Sequence, residues 1–133
     1  MMNQLAATRP PQPPRVLVLD DDRFMLELLK DMLEQIGVRD VYTEASTRHA
    51  LSTLAEASPD MLICDLALPD MDGIEFLQAA AARGFGGGVI LLSGMDSGVR
   101  DAAGELARVL GLRVAGIFRK PIALDQLRSV VAC

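Results

Sequence analysis

Val16-Leu17-Val18-Leu19-Asp20-Asp21-Asp22 decides the fold of this chain. Apolar residues with a β-branched valine at every second position stop abruptly at a run of acids. By length and flanks this is a buried strand whose carboxyl end opens onto negative charge. Asp22 is placed to cap a helix in which Met25, Leu29, Met32 and Ile36 recur at helical spacing until Gly37. The alternation then repeats. Val41-Tyr42-Thr43 reads as a strand, and Ser46 or Thr47 caps a helix with Ala50, Leu51 and Leu54 inward, ended by Ser58-Pro59. Met61-Leu62-Ile63-Cys64 is a third strand, closed by Asp65, and a helix carrying Ile74, Leu77 and Ala81 runs to the glycines between Gly84 and Gly88. Val89-Ile90-Leu91-Leu92 is a fourth strand ending at Ser93-Gly94, followed by a helix from about Gly98 to Leu110. Val114 to Phe118 is a fifth strand closed by Lys120-Pro121, and Leu124, Leu127 and Val131 begin a last helix. Strand-then-helix units with strands apolar on both faces predict an α/β fold of three layers. Its core is a five-stranded parallel sheet with helices on both faces and right-handed crossovers.

Composition narrows the function. The chain has 133 residues, one domain's worth, half of them hydrophobic and 23% charged. Residues 1–14 hold Pro10, Pro11, Pro13 and Pro14 and little that packs, so they are expected to form a disordered tail ahead of one domain over 15–133. No apolar run approaches the roughly 20 residues that span a bilayer, and the start lacks a signal peptide's apolar stretch. A cytoplasmic protein with no membrane partner is expected. Cys64 and Cys133 make neither a disulfide framework nor a metal spacing. A net charge of −5 argues against direct nucleic-acid binding.

An open parallel sheet works in the crevice beyond the carboxyl ends of its strands. This sequence sends Asp20, Asp21 and Asp22, then Asp65, then Ser93, then Lys120 to that edge. Clustered carboxylates repel, and a hard divalent cation relieves the repulsion. Oxygen ligands at an open edge suit Mg²⁺, which keeps some of its waters and shares itself with phosphate. A carboxylate beside Mg²⁺ and a lysine can attack a phosphoryl group, because both cations neutralise charge on the transferred oxygens. The residues predict a phosphoryl-accepting aspartate.

The stretches Val16 to Asp22, Asp65-Leu66-Ala67-Leu68-Pro69-Asp70-Met71-Asp72-Gly73, Leu92-Ser93-Gly94 and Lys120-Pro121 resemble the signature set of response-regulator receiver domains, in order and in spacing. The resemblance covers Arg15 to the end and implies the flavodoxin-like (βα)5 form of the sheet. It implies that Asp65 is the phosphoacceptor, and that Asp20 and Asp21, with Asp65 and the backbone carbonyl of Ala67, hold Mg²⁺. Ser93 takes the place of the hydroxyl that turns to the phosphoryl group, Lys120 pairs with it, and Pro121 matches a proline held in a cis bond. The implied donor is a sensor histidine kinase or phosphotransfer protein. The implied output surface, also a candidate homodimer contact, lies over residues 98–133. Leu106 to Gly116 resembles receivers fused to EAL-type cyclic-di-GMP phosphodiesterase domains. With the short stretch left for a last helix, this suggests a receiver taken from a larger regulator.

Two positions depart from the family's commonest pattern. Ala67 stands where a polar side chain often lies near the hydrolytic water, and Ile117 stands where an aromatic switch residue is frequent. Phe118 follows it, but strand alternation sends that ring to the opposite face.

Plainer readings fit less of the chain. Asp20 to Asp22 as capping acids alone would use more carboxylates than a cap needs. Ser93-Gly94 by itself is ordinary turn chemistry. His49 falls off the apolar stripe and reads as a surface residue, and Cys64 reads as a small core hydrophobe. Gly84 to Gly88 precedes a strand, so it is no phosphate-cradling loop. An aspartate-nucleophile phosphohydrolase would carry Asp-x-Asp after its first strand, and Ala67 cannot transfer a proton. A flavodoxin-like cofactor binder needs a hydroxyl- and glycine-rich first loop where this chain has three aspartates. A degenerate receiver that only binds partners would not need the acid pair, the acceptor and the lysine together.

Overall fold

A computed structural model describes residues 14–66, 73–94 and 97–131. The strands are β1 (Val16–Leu19), β2 (Val41–Glu44), β3 (Met61–Asp65), β4 (Gly88–Ser93) and β5 (Arg113–Arg119). The helices are α1 (Arg23–Gln35), α2 (Thr47–Ala57), α3 (Gly73–Ala82), α4 (Ser97–Val109) and α5 (Leu124–Val131). All strand pairs are parallel, in the order β2-β1-β3-β4-β5.

Alternation along the strands divides the core into two layers. Leu17, Leu19, Leu62, Cys64, Val89 and Leu91 face α2, α3 and α4. Val16, Val18, Ile63, Ile90 and Leu92 face α1 and α5. Both faces of β1, β3 and β4 are therefore apolar, as period-two side chains in a covered parallel sheet require. The edge strands β2 and β5 are largely half-exposed, because each has a neighbour on one side only.

Local signals set most boundaries. Asp22 caps α1, its carboxylate accepting from the amides of Phe24 and Met25, and Gly37 turns the chain with φ of 97°. Ile36, expected within the helix, is its C-cap. Ser46 rather than Thr47 caps α2, accepting from the amide of His49, while Thr47 is buried in the first turn. Ala50 and Leu54 are buried on α2, and Leu51 lies on the flank of the stripe.

The α3 stripe differs from its sequence reading. Phe76, Leu77 and Ala80 are buried, while Ile74 and Ala81 only flank the core. The rotation of the helix follows from its start. A Cβ on Gly73 would come within 2.7 Å of the Asp65 carbonyl, so the backbone itself sits against the end of β3 and fixes which side chains turn inward.

β5 runs one residue further at each end than expected and carries an irregularity. Val89 pairs with Val114, yet Ile90 pairs with Gly116, so Ala115 is an extra residue. The bulge puts Val114 and Ile117 on the α4 side, and Phe118 on the α5 side as alternation predicted.

Candidate functional site

The carboxyl edge of the sheet gathers the residues that the sequence sends there. Asp20 follows β1 and is 1% exposed, Asp65 ends β3 at 3%, and Ser93 ends β4 at 0%. Lys120 follows β5, and its backbone amide donates to the Ser93 carbonyl at 2.9 Å. Its ammonium then reaches back over the sheet to lie 2.8 Å from Asp20 Oδ2 and 3.2 Å from Asp65 Oδ2. The Lys120–Pro121 bond is cis.

Each position has a local cause. β1 ends by donating the Asp20 amide to the Glu44 carbonyl, and Asp20 Oδ1 accepts from the amide of Asp22 at 2.9 Å. That bond turns the chain into α1 and aims the other carboxylate oxygen into the crevice. β3 ends with the Leu66 amide donating to the Leu92 carbonyl, and the Gly73 amide donates back to Leu66. Asp65 is thus held between its neighbour strand and the start of α3.

The electrostatics are dominated by negative charge. Oxygens of Asp20, Asp21 and Asp65 lie within 4.8 Å of one another, with Asp21 exposed and the other two buried. Asp20 Oδ2 sits at ion-pair distance from Lys120, but the angles are not those of a hydrogen bond, so this buried oxygen has none. Burial pulls the Lys120 pKa down, and the close carboxylate of Asp20, joined by the charge and hydrogen bond of Asp65, more than offsets it, so the pKa is raised. The Cys64 thiol is fully buried and donates to the Asp65 carbonyl. Burial above all, then the charges of Asp65 and Asp20, push its pKa far up, so it stays protonated. That fits the reading of Cys64 as a core residue.

An oxygen-only donor set with one buried oxygen lacking a hydrogen bond suits a hard divalent cation. Of the expected ligands, Asp20, Asp21 and Asp65 come together; Ala67 lies outside the described residues. Ser93 reaches the same edge. Ile117 is half-buried in the α4 layer beside Leu91, its partner on β4. His49 is exposed, with Nδ1 at 3.1 Å from the Ser46 hydroxyl, away from the cluster. Two contributions escaped the sequence reading. One is the contact of Lys120 with Asp20 as well as Asp65. The other is the close seat of Gly73, signalled only by a glycine at the start of an apolar helix.

A family model for the response regulator receiver domain matches residues 16–132. The regulator of RpoS from Escherichia coli K12 is 30% identical over 95% of this chain and 36% of its own length. The cyclic di-GMP phosphodiesterase RocR of Pseudomonas aeruginosa is 31% identical over 87% of this chain and 30% of its own. This chain therefore spans about a third of the length of those curated relatives. A crystal structure of a response regulator from Colwellia psychrerythraea superposes with a TM-score of 0.77. It is 38% identical, over 90% of this chain and 94% of that one. Fold, edge chemistry and likeness agree: the chain belongs to the response regulator receiver domain family and is a receiver domain of two-component signalling.

Proposed function

We propose that Asp65 accepts the phosphoryl group and that Lys120 and Ser93 complete the site. The supporting observation is the Lys120 ammonium within 3.2 Å of Asp65 and 2.8 Å of Asp20, at an edge with a surplus of carboxylate. An Asp65 carboxylate oxygen attacks phosphorus, the bond from phosphorus to the donor's imidazole nitrogen breaks, and the imidazole leaves with that electron pair. The product is an acyl phosphate on Asp65. Lys120 holds positive charge against the transferred oxygens, and the Ser93 hydroxyl donates to one of them.

Asp20, Asp21 and Asp65, with the Ala67 carbonyl, would hold Mg²⁺. When bound it supplies charge neutralisation for the phosphoryl oxygens and for the carboxylates themselves. Phosphorylation then places a charge of roughly −2 at the edge, which the residues around it must accommodate by moving.

The donor is a histidine kinase or phosphotransfer protein, and the setting is the cytoplasm. Residues 15–133 form the receiver and residues 1–14 a tail. Residues 98–133 form the surface that contacts a partner, an output domain or a second copy. RocR is named a cyclic di-GMP phosphodiesterase. Its likeness, with the Leu106 to Gly116 stretch, supports an EAL phosphodiesterase as the output. The receiver is a signalling module whose chemistry is confined to its own aspartate.

Intact mass after incubation with Mg²⁺ and acetyl phosphate tests the reading. One phosphoryl group is expected on the wild type, none on Asp65→Asn, and none without Mg²⁺. A folded, Mg²⁺-binding wild type that gains no mass would sink the reading in favour of a receiver that signals by contact alone.

A further inference from the structure

The amino ends of the strands form a second pole of the molecule, opposite the acid edge. There, between the ends of α2 and α3, lies a groove of about 550 Å³ lined by Leu54, Ser58, Pro59, Arg83, Phe85 and Gly86. Leu54 and Pro59 are buried and Phe85 is half-buried. A Cβ on Gly87 would overlap the Asp60 carbonyl and the Phe85 ring, so the missing side chain lets that ring lie close against backbone. Arg83 donates to the Leu51 carbonyl at 3.4 Å and bridges α3 to α2. The chain enters the fold beside this groove. The Arg15 amide donates to the Asp60 carboxylate at 2.8 Å, and its guanidinium donates to the Ala57 carbonyl at 3.1 Å. Its own carbonyl accepts from the amides of Asp60 and Met61. Arg15 is thus tied to the loop between α2 and β3, whose Ser58 and Pro59 line the groove. Pro14, just ahead of it, is half-buried. Residues 1–13 lie outside the described residues; they include Arg9, Pro10, Pro11 and Pro13, and no acid.

We propose that this groove is the seat of the proline-rich segment Arg9 to Pro13 of the same chain, docked as a polyproline helix. That helix has three residues per turn and no internal hydrogen bonds, so Pro10 and Pro13 fall on one ridge and Pro11 and Pro14 on the next. Such ridges fit grooves that present an aromatic ring, as this one presents Phe85. The reach is sufficient. At about 3.1 Å per residue, the stretch from Pro10 to Pro14 extends roughly 15 Å from Arg15. The tether at Arg15 holds the segment at an effective concentration on the order of millimolar, so a weak contact fills the groove. The carboxyl ends of α2 and α3 bring the negative ends of two helix dipoles to the groove, which suits Arg9 in a segment without acids. The seat lies at the opposite pole from Asp65 and does not depend on Asp65 being the phosphoacceptor.

Nitroxide broadening of amide NMR signals in the full chain tests the seat. A spin label on Thr8→Cys, in a Cys133→Ser background where the remaining Cys64 is buried, reports where the segment lies. The amides of Ser58, Gly84 and Gly86 belong to the groove. Those of Gly37 and Val38 are the control, close to Arg15 on its other side, where its guanidinium lies 3.8 Å from Asp40. Preferential broadening of the groove amides is expected. Equal broadening of both sets, or of neither, overturns the seat. Combined Pro10→Gly, Pro11→Gly and Pro13→Gly should abolish the preference, and a preference that survives overturns the polyproline contact. Phe85→Leu, which keeps an apolar side chain and removes the ring, should weaken it, and unchanged broadening overturns the role of the ring. Mixing spin-labelled chain with isotope-labelled chain that carries no nitroxide should leave the groove amides sharp. Broadening there means that a second copy's segment fills the groove, and it overturns a seat within one chain.

Discussion

Lys120 Nζ stands 2.8 Å from Asp20 Oδ2, although β5 and β1 are separated in the sheet by β4 and β3. One ammonium spans the crevice and sits between the acid of the first strand and the acid of the third, 3.2 Å from Asp65. The lysine thus partly neutralises the cluster, and in the proposed reaction the same position would serve the transferred oxygens.

Removing that charge should affect transfer more than metal binding. Lys120→Met is expected to slow phosphoryl gain from acetyl phosphate by about 100- to 1000-fold, the usual cost of losing one transition-state charge donor. Mg²⁺ affinity should be equal or higher, since the ammonium no longer competes for Asp20. A mass time course and a Mg²⁺ titration check both, and an unchanged rate would exclude Lys120 from the reaction.

Mg²⁺ should stabilise the fold by mass action. At a concentration 100 times its Kd a ligand that binds only the native state contributes about 2.7 kcal/mol, several degrees in Tm for a chain of this size. Asp20→Ala, which removes the buried carboxylate, should abolish most of the Mg²⁺-dependent rise. Thermal scans with Mg²⁺ and with a chelator make the comparison, and an equal rise in the variant would place the metal elsewhere.

Alkaline pH should weaken the fold, and two groups set the sign. The Cys64 pKa is raised above its ordinary 9.0, so its contribution is fully present below 9.0 and is lost as pH rises toward the folded value. Lys120 is raised above 10.5 and acts in the same direction at higher pH. Denaturant unfolding from pH 8 to about pH 10 should show falling stability, with a shallower fall in Cys64→Ala. In a Cys133→Ser background Cys64 should resist alkylation until the chain unfolds. Rapid native labelling at pH 8 would contradict the burial.

Gly73→Ala sets two effects against each other. Alanine favours a helix by up to about 1 kcal/mol, but its Cβ would press on Asp65 O and Leu66 Cα, which are backbone atoms and cannot swing away. Overpacking should win, with a net loss of about 1–2 kcal/mol and slower phosphoryl gain as the end of β3 shifts. Chemical unfolding and the mass time course read the two effects, and a stabilised, fully active variant would show that the loop yields.

Much of this was legible in the residues themselves. The alternation of short apolar runs with helical stripes identified each strand and helix among the described residues, because burial on both sheet faces and capping by Asp22 or Gly37 are local requirements. The acids at the ends of β1 and β3, the serine at the end of β4 and the lysine after β5 pointed to the candidate site, because a parallel sheet sends every strand's carboxyl end to one edge. Tertiary structure alone decided how those groups meet. Lys120 reaches Asp20 as well as Asp65, α3 turns Phe76 and Ala80 inward because Gly73 rests on the end of β3, and an extra residue at Ala115 turns Ile117 into the notch at Gly104. Each depends on the register and separation of elements distant in sequence. Those are set by how whole surfaces pack, so no single segment carries them.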